Sequence, residues 1–387
     1  MQFIDLVAQQ KRIRKKIEVN INSVLEHGRY IMGPEVGELE KSLGDFCGVK
    51  HAVSCASGTD ALLLALMAHN VGPGDAILTS PFTFIATAEV ISLLGATPVF
   101  VDIDPSTFNI DPQKIEPVLS ALKAADGSSQ PLPNVSGLKA KGIIAVDLFG
   151  LPADYEKINA IAKENGLFVI EDAAQSFGAE YFGKRAGSLG DVACTSFFPA
   201  KPLGGYGDGG MCFTDDDNLA DVMRSLRIHG KGGHKYDNVR IGINGRLDTL
   251  QAAVLNAKFG IFPEEVSMRQ EVAGRYNEMI AQGRSAEIVL QTPAVPSGYL
   301  SVWAQYSLLA KNDDQRNQIQ QRLKDAGIPT AVYYPLPLHF QTAFSGLQYE
   351  KGSFPVSEGF STRIFSLPMH PYLEADIQQR IAEAIFS

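Results

Sequence analysis

A lysine held between the end of an aromatic strand and a run of glycines is the feature of this chain best suited to covalent chemistry. It lies in Thr195-Ser196-Phe197-Phe198-Pro199-Ala200-Lys201-Pro202-Leu203-Gly204-Gly205-Tyr206-Gly207-Asp208-Gly209-Gly210. Val192 to Phe198 reads as a buried strand, and Pro199, Pro202 and the glycines predict a tight turn that aims the Lys201 amine inward. A partly desolvated amine loses its proton readily and becomes a nucleophile toward carbonyls. The competing reading is a lysine that caps a strand and reaches water. Gly205-x-Gly207-x-x-Gly210 also has the form of a dinucleotide fingerprint, which leaves an NAD-binding oxidoreductase as a remote alternative. That fingerprint should open a helix, whereas Met211-Cys212-Phe213-Thr214 reads as a strand.

Two further segments supply complementary chemistry. In Gly166-Leu167-Phe168-Val169-Ile170-Glu171-Asp172-Ala173-Ala174-Gln175-Ser176, four consecutive apolar residues predict a buried parallel strand. Asp172 then falls at its carboxyl end, where open α/β sheets bind ligands; helix capping is the alternative. A lysine paired with such an aspartate suits pyridoxal phosphate, which takes a lysine for its Schiff base and a carboxylate beside its ring nitrogen. Val53-Ser54-Cys55-Ala56-Ser57-Gly58-Thr59-Asp60-Ala61 reads as strand, small-residue turn and helix. Such a helix start offers free N–H groups and a positive dipole end to a phosphate, although Ser57, Thr59 or Asp60 could equally be plain N-caps.

Taken together, Ala56-Ser57-Gly58-Thr59-Asp60-Ala61, Glu171-Asp172-Ala173-Ala174-Gln175-Ser176, Ser196-Phe197-Phe198-Pro199-Ala200-Lys201 and Asn244-Gly245-Arg246-Leu247-Asp248 resemble, in order, the signatures of the DegT/DnrJ/EryC1/StrS group of nucleotide-sugar aminotransferases. The resemblance spans essentially the whole chain. It implies the aspartate aminotransferase fold (fold type I): an α/β domain with a mostly parallel sheet covered by helices, and a smaller C-terminal α+β domain. It further implies that Lys201 is the Schiff-base lysine, Asp172 the ring-nitrogen partner and Gln175 the neighbour of the ring hydroxyl. Gly58, Thr59 and Ser196 become phosphate ligands, and Phe84, in Pro81-Phe82-Thr83-Phe84, the ring stacked on the cofactor. On the same likeness Asn244 touches the cofactor phosphate of a neighbouring subunit and Arg246 a substrate anion, which makes the protein a homodimer with shared active sites.

Within that group the chain looks most similar to aminotransferases of UDP-2-acetamido-2-deoxy-3-oxo-glucuronate, enzymes of lipopolysaccharide and O-antigen sugar synthesis, with glutamate as amino donor. Arg246 would suit the uronate carboxylate. Tyr333 and Tyr334, in Ala331-Val332-Tyr333-Tyr334-Pro335, match the segment that contacts the sugar nucleotide, with Tyr333 where relatives usually carry histidine. A 4-keto-6-deoxy sugar nucleotide is the alternative acceptor. The sugar dehydratase branch, which carries histidine at the lysine position, is disfavoured by Lys201, and a non-catalytic regulatory protein by the intact Lys201 and Asp172.

The elements that must hold these groups are legible in outline. At 387 residues, 45% hydrophobic and 20% charged, the chain can build two cores; the expected division is 1–246 and 247–387. A net charge of −9 argues against nucleic acid or an anionic membrane as partner, and no apolar run approaches the roughly 20 residues of a membrane span. The four cysteines lack metal spacing and read as reduced residues of a cytoplasmic protein. Residues 8 to 27 predict an amphipathic helix through Ile13, Ile17, Ile21, Val24 and Leu25, and Pro34 opens a second. Strands are expected near 51–55, 76–79, 97–102, 142–147, 167–171, 192–197 and 210–214. Helices near 59–70, 83–94, 112–124, 154–165 and 215–228 separate several of them. Asp102 and Asp104 are read as turn formers and not metal ligands, Ala124 to Gly137 as a surface excursion, and His229 to Lys235 as a flexible cationic loop. No metal site is expected. A long helix pair, a strand around Trp303 to Ala310, a helix from Asp313 to Ala326 and a closing helix from Glu374 complete the chain.

Overall fold

The computed structural model describes the whole chain except residues 125–129, 134–136, 235 and 284–287, so the expected excursion at Ala124 to Gly137 lies largely outside the described residues. The order is α1 (Leu6–His27), α2 (Pro34–Cys47), β1 (His51–Cys55), α3 (Gly58–Ala68), β2 (Asp75–Thr79), α4 (Ala86–Leu93), β3 (Thr97–Phe100), α5 (Ile115–Ala124), β4 (Lys139–Val146), α6 (Tyr155–Asn165) and β5 (Phe168–Asp172). Two short strands, β6 (Glu180–Tyr181) and β7 (Lys184–Arg185), precede β8 (Val192–Ser196), β9 (Gly210–Thr214), α7 (Asp217–Leu226), α8 (Thr249–Phe259) and α9 (Phe262–Gly283). The last part holds β10 (Leu290–Gln291), β11 (Tyr299–Leu300), β12 (Tyr306–Ala310), α10 (Asp313–Asp325), α11 (Pro355–Arg363), β13 (Ile364–Leu367) and α12 (Ala375–Phe386).

Seven strands form one sheet in the order β1-β9-β8-β5-β4-β2-β3. All run parallel except β9, which is antiparallel to both β1 and β8. This mixed sheet suits the continuous apolar runs of its strands, since both faces must be covered. One face packs Leu62, Leu64 and Leu66 of α3 and Met223 and Leu226 of α7 over Ile77, Ile170 and Val192. The other packs Ile115, Val118 and Leu119 of α5 and Ile158 of α6 over Leu78, Ile143 and Val169. Each fully buried aliphatic side chain contributes about 1.5–3 kcal/mol.

The register matters most around β5. Asp172, the last residue of β5, pairs with Val146, the last residue of β4, on one side and with Cys194 in the middle of β8 on the other. Gly166 follows α6 with φ 66°, a left-handed cap that turns the chain directly into β5. The four cysteines are free and buried.

A second core gathers Val272, Tyr276 and Ile280 of α9 with Tyr306, Leu308 and Phe365 of β12 and β13, and with Leu323, Ile381 and Ile385 of α10 and α12. Helix α8, expected with this part, packs elsewhere. Its Val254 and Ala257 join Ile13 and Ile17 of α1, and Leu247, Ala252, Leu255 and Phe262 join Val36 and Leu39 of α2.

Several expectations shift by a few residues. The strand through Lys201's approach ends at Ser196, leaving Phe198 exposed. Helix α4 begins at Ala86, so Thr83 and Phe84 lie in the preceding loop, and β12 begins at Tyr306 and not at Trp303. Leu25 faces solvent although its helical partners Ile13, Ile17 and Val24 are buried. The segment after α7 is a paired arm: Ile228 bridges Asn244 and Lys231 bridges Asn238. Gly210 leads into β9 and not into a helix, so the context that a dinucleotide fingerprint needs is missing.

Candidate active site

A cavity of about 430 Å³ opens at the carboxyl ends of the parallel strands and is lined by Ser57, Gly58, Thr59, Phe84, Asp172, Gln175, Ser196, Lys201, Tyr333 and Tyr334, among others. A larger hollow of about 780 Å³ lies around His69, Lys141 and Asp191, and none of the candidate site residues borders it.

Lys201 is set by the turn that ends β8. Phe197 N donates to Gly209 O at 2.7 Å, Lys201 N to Phe198 O at 2.9 Å and Gly205 N to Phe197 O at 2.7 Å. Burial lowers the pKa of the Lys201 amine, and the nearby Asp172 charge opposes that shift only in part. Among the described residues no ion pair joins Lys201 to Asp172, although both border the cavity.

Asp172 is 5% exposed. Its Oδ2 accepts from Thr87 Oγ1 at 2.8 Å and its Oδ1 from Ala174 N at 3.2 Å. Burial raises its pKa, opposed by the Thr87 and Ala174 hydrogen bonds and by Lys201. Gln175 is fixed at both ends of its amide: Oε1 accepts from Phe149 N at 2.8 Å, and Nε2 donates to Tyr334 Oη at 3.1 Å. Tyr333 stands beside it, edge-on to Phe3 at 6.4 Å between ring centroids.

The start of α3 also borders the cavity. Ser57 caps it, its Oγ accepting from Asp60 N at 3.0 Å. The first-turn N–H groups of Gly58 and Thr59 have no partner in the helix. Gly58 has no room for a side chain, because a Cβ there would lie 2.6 Å from Ser196 Cβ. The backbone thus comes up against the Ser196 hydroxyl, and an anion at this point would meet both.

These features fit pyridoxal phosphate part by part. The α3 amides and Ser196 match the phosphate, and a buried carboxylate at a strand end matches the ring nitrogen. An amine without an ion-pair partner matches the aldehyde, and Phe84, 55% exposed at the cavity wall, offers an aromatic face.

Asn244 and Arg246 are not brought into this cavity. Asn244 is exposed, and Gly245 between them accepts from Ala56 N at 3.1 Å, which fixes both residues just behind the α3 turn. Arg246 Nε is enclosed without a hydrogen-bond partner. Conversely, the cavity includes Ile4, Thr87, Asp208 and Gln305, which sequence reasoning missed. Thr87 lies one helical turn beyond Phe84, a spacing that could have suggested it; for Ile4 and Gln305 no local signal exists.

Among the described residues no cluster could hold a metal ion. Asp102 accepts from Val356 N and Ser357 N, each at 3.0 Å, at the start of α11. Asp104 accepts from Ser106 N and Thr107 N in a turn.

Comparison with known proteins bears on this geometry. A profile of the DegT/DnrJ/EryC1/StrS aminotransferase family matches residues 11–386. The UDP-2-acetamido-2-deoxy-3-oxo-D-glucuronate aminotransferase of Pseudomonas aeruginosa is 50% identical over 97% of this chain and 96% of its own length. A DegT DnrJ EryC1 StrS aminotransferase from Brucella abortus superimposes with a TM-score of 0.92 at 48% identity, over 100% of this chain and 98% of that one. NtdA from Bacillus subtilis, solved with bound cofactor PMP, superimposes with a TM-score of 0.86 at 27% identity, over 99% and 82%.

Proposed function

Because the chain belongs to the DegT/DnrJ/EryC1/StrS aminotransferase family, we propose that it transfers an amino group from glutamate to UDP-2-acetamido-2-deoxy-3-oxo-glucuronate for bacterial lipopolysaccharide or O-antigen synthesis. The observation that carries this reading is a single cavity bordered by Lys201, Asp172 and the start of α3. Its identity of 50% with a protein named for that substrate supports the acceptor.

The cofactor is pyridoxal 5′-phosphate, which when bound supplies an electron sink for the pair released as a C–H bond breaks. The chain's own groups do the rest. Lys201 Nζ, biased by burial toward its neutral form, could accept the proton from the donor's α-carbon and return it to the carbon on the far side of the imine nitrogen. Asp172 accepts a hydrogen bond from the ring nitrogen and balances its charge. Gly58 N, Thr59 N and Ser196 Oγ hold the phosphate, Phe84 covers a ring face, and Gln175 with Tyr334 closes the side next to the small domain. Tyr333 and Tyr334 meet the sugar nucleotide.

We extend the proposal to a cytoplasmic homodimer with shared sites. Asn244 and Arg246 are outside their own cavity, and Arg246 Nε lacks a partner, as expected of groups that complete the site of a second copy. No helix among the described residues is long and apolar enough to cross a membrane.

The acceptor assignment is tested by comparing an acidic 3-oxo sugar nucleotide with a neutral 4-keto-6-deoxy one, on wild type and Arg246→Lys. Loss of the bidentate carboxylate contact should cost the acidic substrate at least about tenfold more in kcat/KM than the neutral one. Equal losses on both would remove the carboxylate role.

A further inference from the structure

Thr87 is the group in direct contact with Asp172 that none of the roles above uses. It sits in the first turn of α4, its N–H donating to Phe84 O at 3.3 Å. The residue that presents an aromatic face to the cavity and the one that touches Asp172 are therefore held by one turn of backbone. Thr87 is 1% exposed, and its Oγ1 donates to Asp172 Oδ2 at 2.8 Å. Thr83 Oγ1, 2% exposed, lies 3.3 Å from Thr87 Oγ1. A hydroxyl has one hydrogen; with Thr87's given to Asp172, Thr83 must donate to Thr87. The chain of donors runs Thr83 to Thr87 to Asp172.

The carboxylate needs that support. Beneath it Asp147 is fully buried, and its N–H donates to Asp172 O at 3.1 Å. Glu171, also fully buried, is the preceding residue of β5. Tyr155, Tyr334 and Cys194 feel the Asp172 charge from α6, the small domain and β8, and Lys201 faces it from the cavity. Burial favours a protonated Asp172, which would present a proton where a ring nitrogen requires an acceptor. Against it stand Lys201, the Ala174 N–H and the Thr87 hydroxyl.

We propose that Thr87 is a positioning residue of the transamination site: its hydroxyl fixes the Asp172 side chain and keeps it ionised, so that its remaining lone pairs face the cofactor's ring nitrogen. This rests on the pyridoxal phosphate reading of the cavity. Thr87→Val keeps the shape and removes the donor; Thr87→Ser keeps the donor and removes a methyl group.

Each purified protein is stripped of cofactor and titrated with pyridoxal phosphate by visible absorbance, and the loaded protein is then titrated with pH. Thr87→Val should bind at least about tenfold more weakly, the loss expected for a hydrogen bond to a charged group. The midpoint of its visible band should move upward, because a ring that has lost positive charge no longer repels a proton on the Lys201 nitrogen. Thr87→Ser should stay within about threefold of wild type, with an unmoved midpoint, since it retains the charge-assisted bond. Wild-type affinity and midpoint in Thr87→Val would overturn the proposal, as would a Thr87→Ser protein impaired as badly as Thr87→Val. If Thr87→Val does not fold, Thr87→Ala is judged by the same two readouts. A wild type that shows no visible band would instead overturn the cofactor reading, and this proposal with it.

Discussion

Burial disfavours a charged amine, and among the described residues it lowers the pKa of two lysines in different surroundings, Lys201 and Lys258. Lys201 borders a cavity beside Asp172; Lys258 does not. It is 1% exposed in α8, its Nζ has no hydrogen-bond partner, and it lies 5.1 Å from the centre of the Tyr206 ring. Burial lowers its pKa from 10.5 to about 8, with Glu265 opposing. The folded protein therefore binds this proton less tightly than the unfolded chain. The cost is full below pH 8, and stability rises as pH climbs from about 8 to 10.5. Lys258→Met should accordingly stabilise the protein at pH 7, by up to about 3 kcal/mol, with the gain fading above pH 10. Thermal unfolding at pH 7 and 10.5 checks this; destabilisation at both would show that the amine is held by contacts worth more than its desolvation. Lys201 and Asp172 were legible in the sequence as a pair: a lysine in a glycine turn and an acid ending an apolar run each have an ordinary reading alone, but together they suit one cofactor. Thr87 was not, because a threonine near a helix start is ordinary and its partner is 85 residues away.

At the scale of elements, most of the large sheet could be read from apolar runs of strand length, and its helices from periodicity. The reversal of β9 could not, since direction is set by pairing with β1 and β8 and leaves no mark in a five-residue apolar run. The domain division was also hidden. Helix α8 shares cores with α1 and α2, while the second half of α9 belongs to the small domain. We therefore propose a boundary inside α9, where one continuous helix serves two cores and periodicity gives no break. The contact of α3 with β8 yields a direct prediction. Gly58→Ala would drive a Cβ to 2.6 Å from Ser196 Cβ and must part the helix start from the strand. Helix propensity would favour alanine by about 1 kcal/mol, so the fold should survive. Pyridoxal phosphate affinity should fall at least about tenfold, because the amides and the serine hydroxyl no longer converge. Unchanged affinity in a cofactor titration would count against this cradle as the phosphate site.

At the scale of the molecule, the proposed shared sites require two copies. Asn244 and Arg246 were named from sequence alone, yet both stand outside their own chain's cavity; a resemblance can identify such residues without saying which copy's site they serve. Co-incubated Asn244→Ala and Lys201→Ala proteins, each inactive or nearly so, should regain up to about a quarter of wild-type activity, because a mixed dimer holds one intact site. No recovery after demonstrated subunit exchange would contradict shared sites. Everything nonetheless depends on Lys201 carrying the cofactor beside Asp172, and the visible absorbance of the purified protein tests that most directly. Wild type should show a visible band with pyridoxal phosphate that bleaches on adding glutamate and returns on adding the 3-oxo uronate nucleotide, and Lys201→Ala should show neither change. No band in wild type after incubation with the cofactor, or a Lys201→Ala protein that cycles as wild type does, would contradict the account.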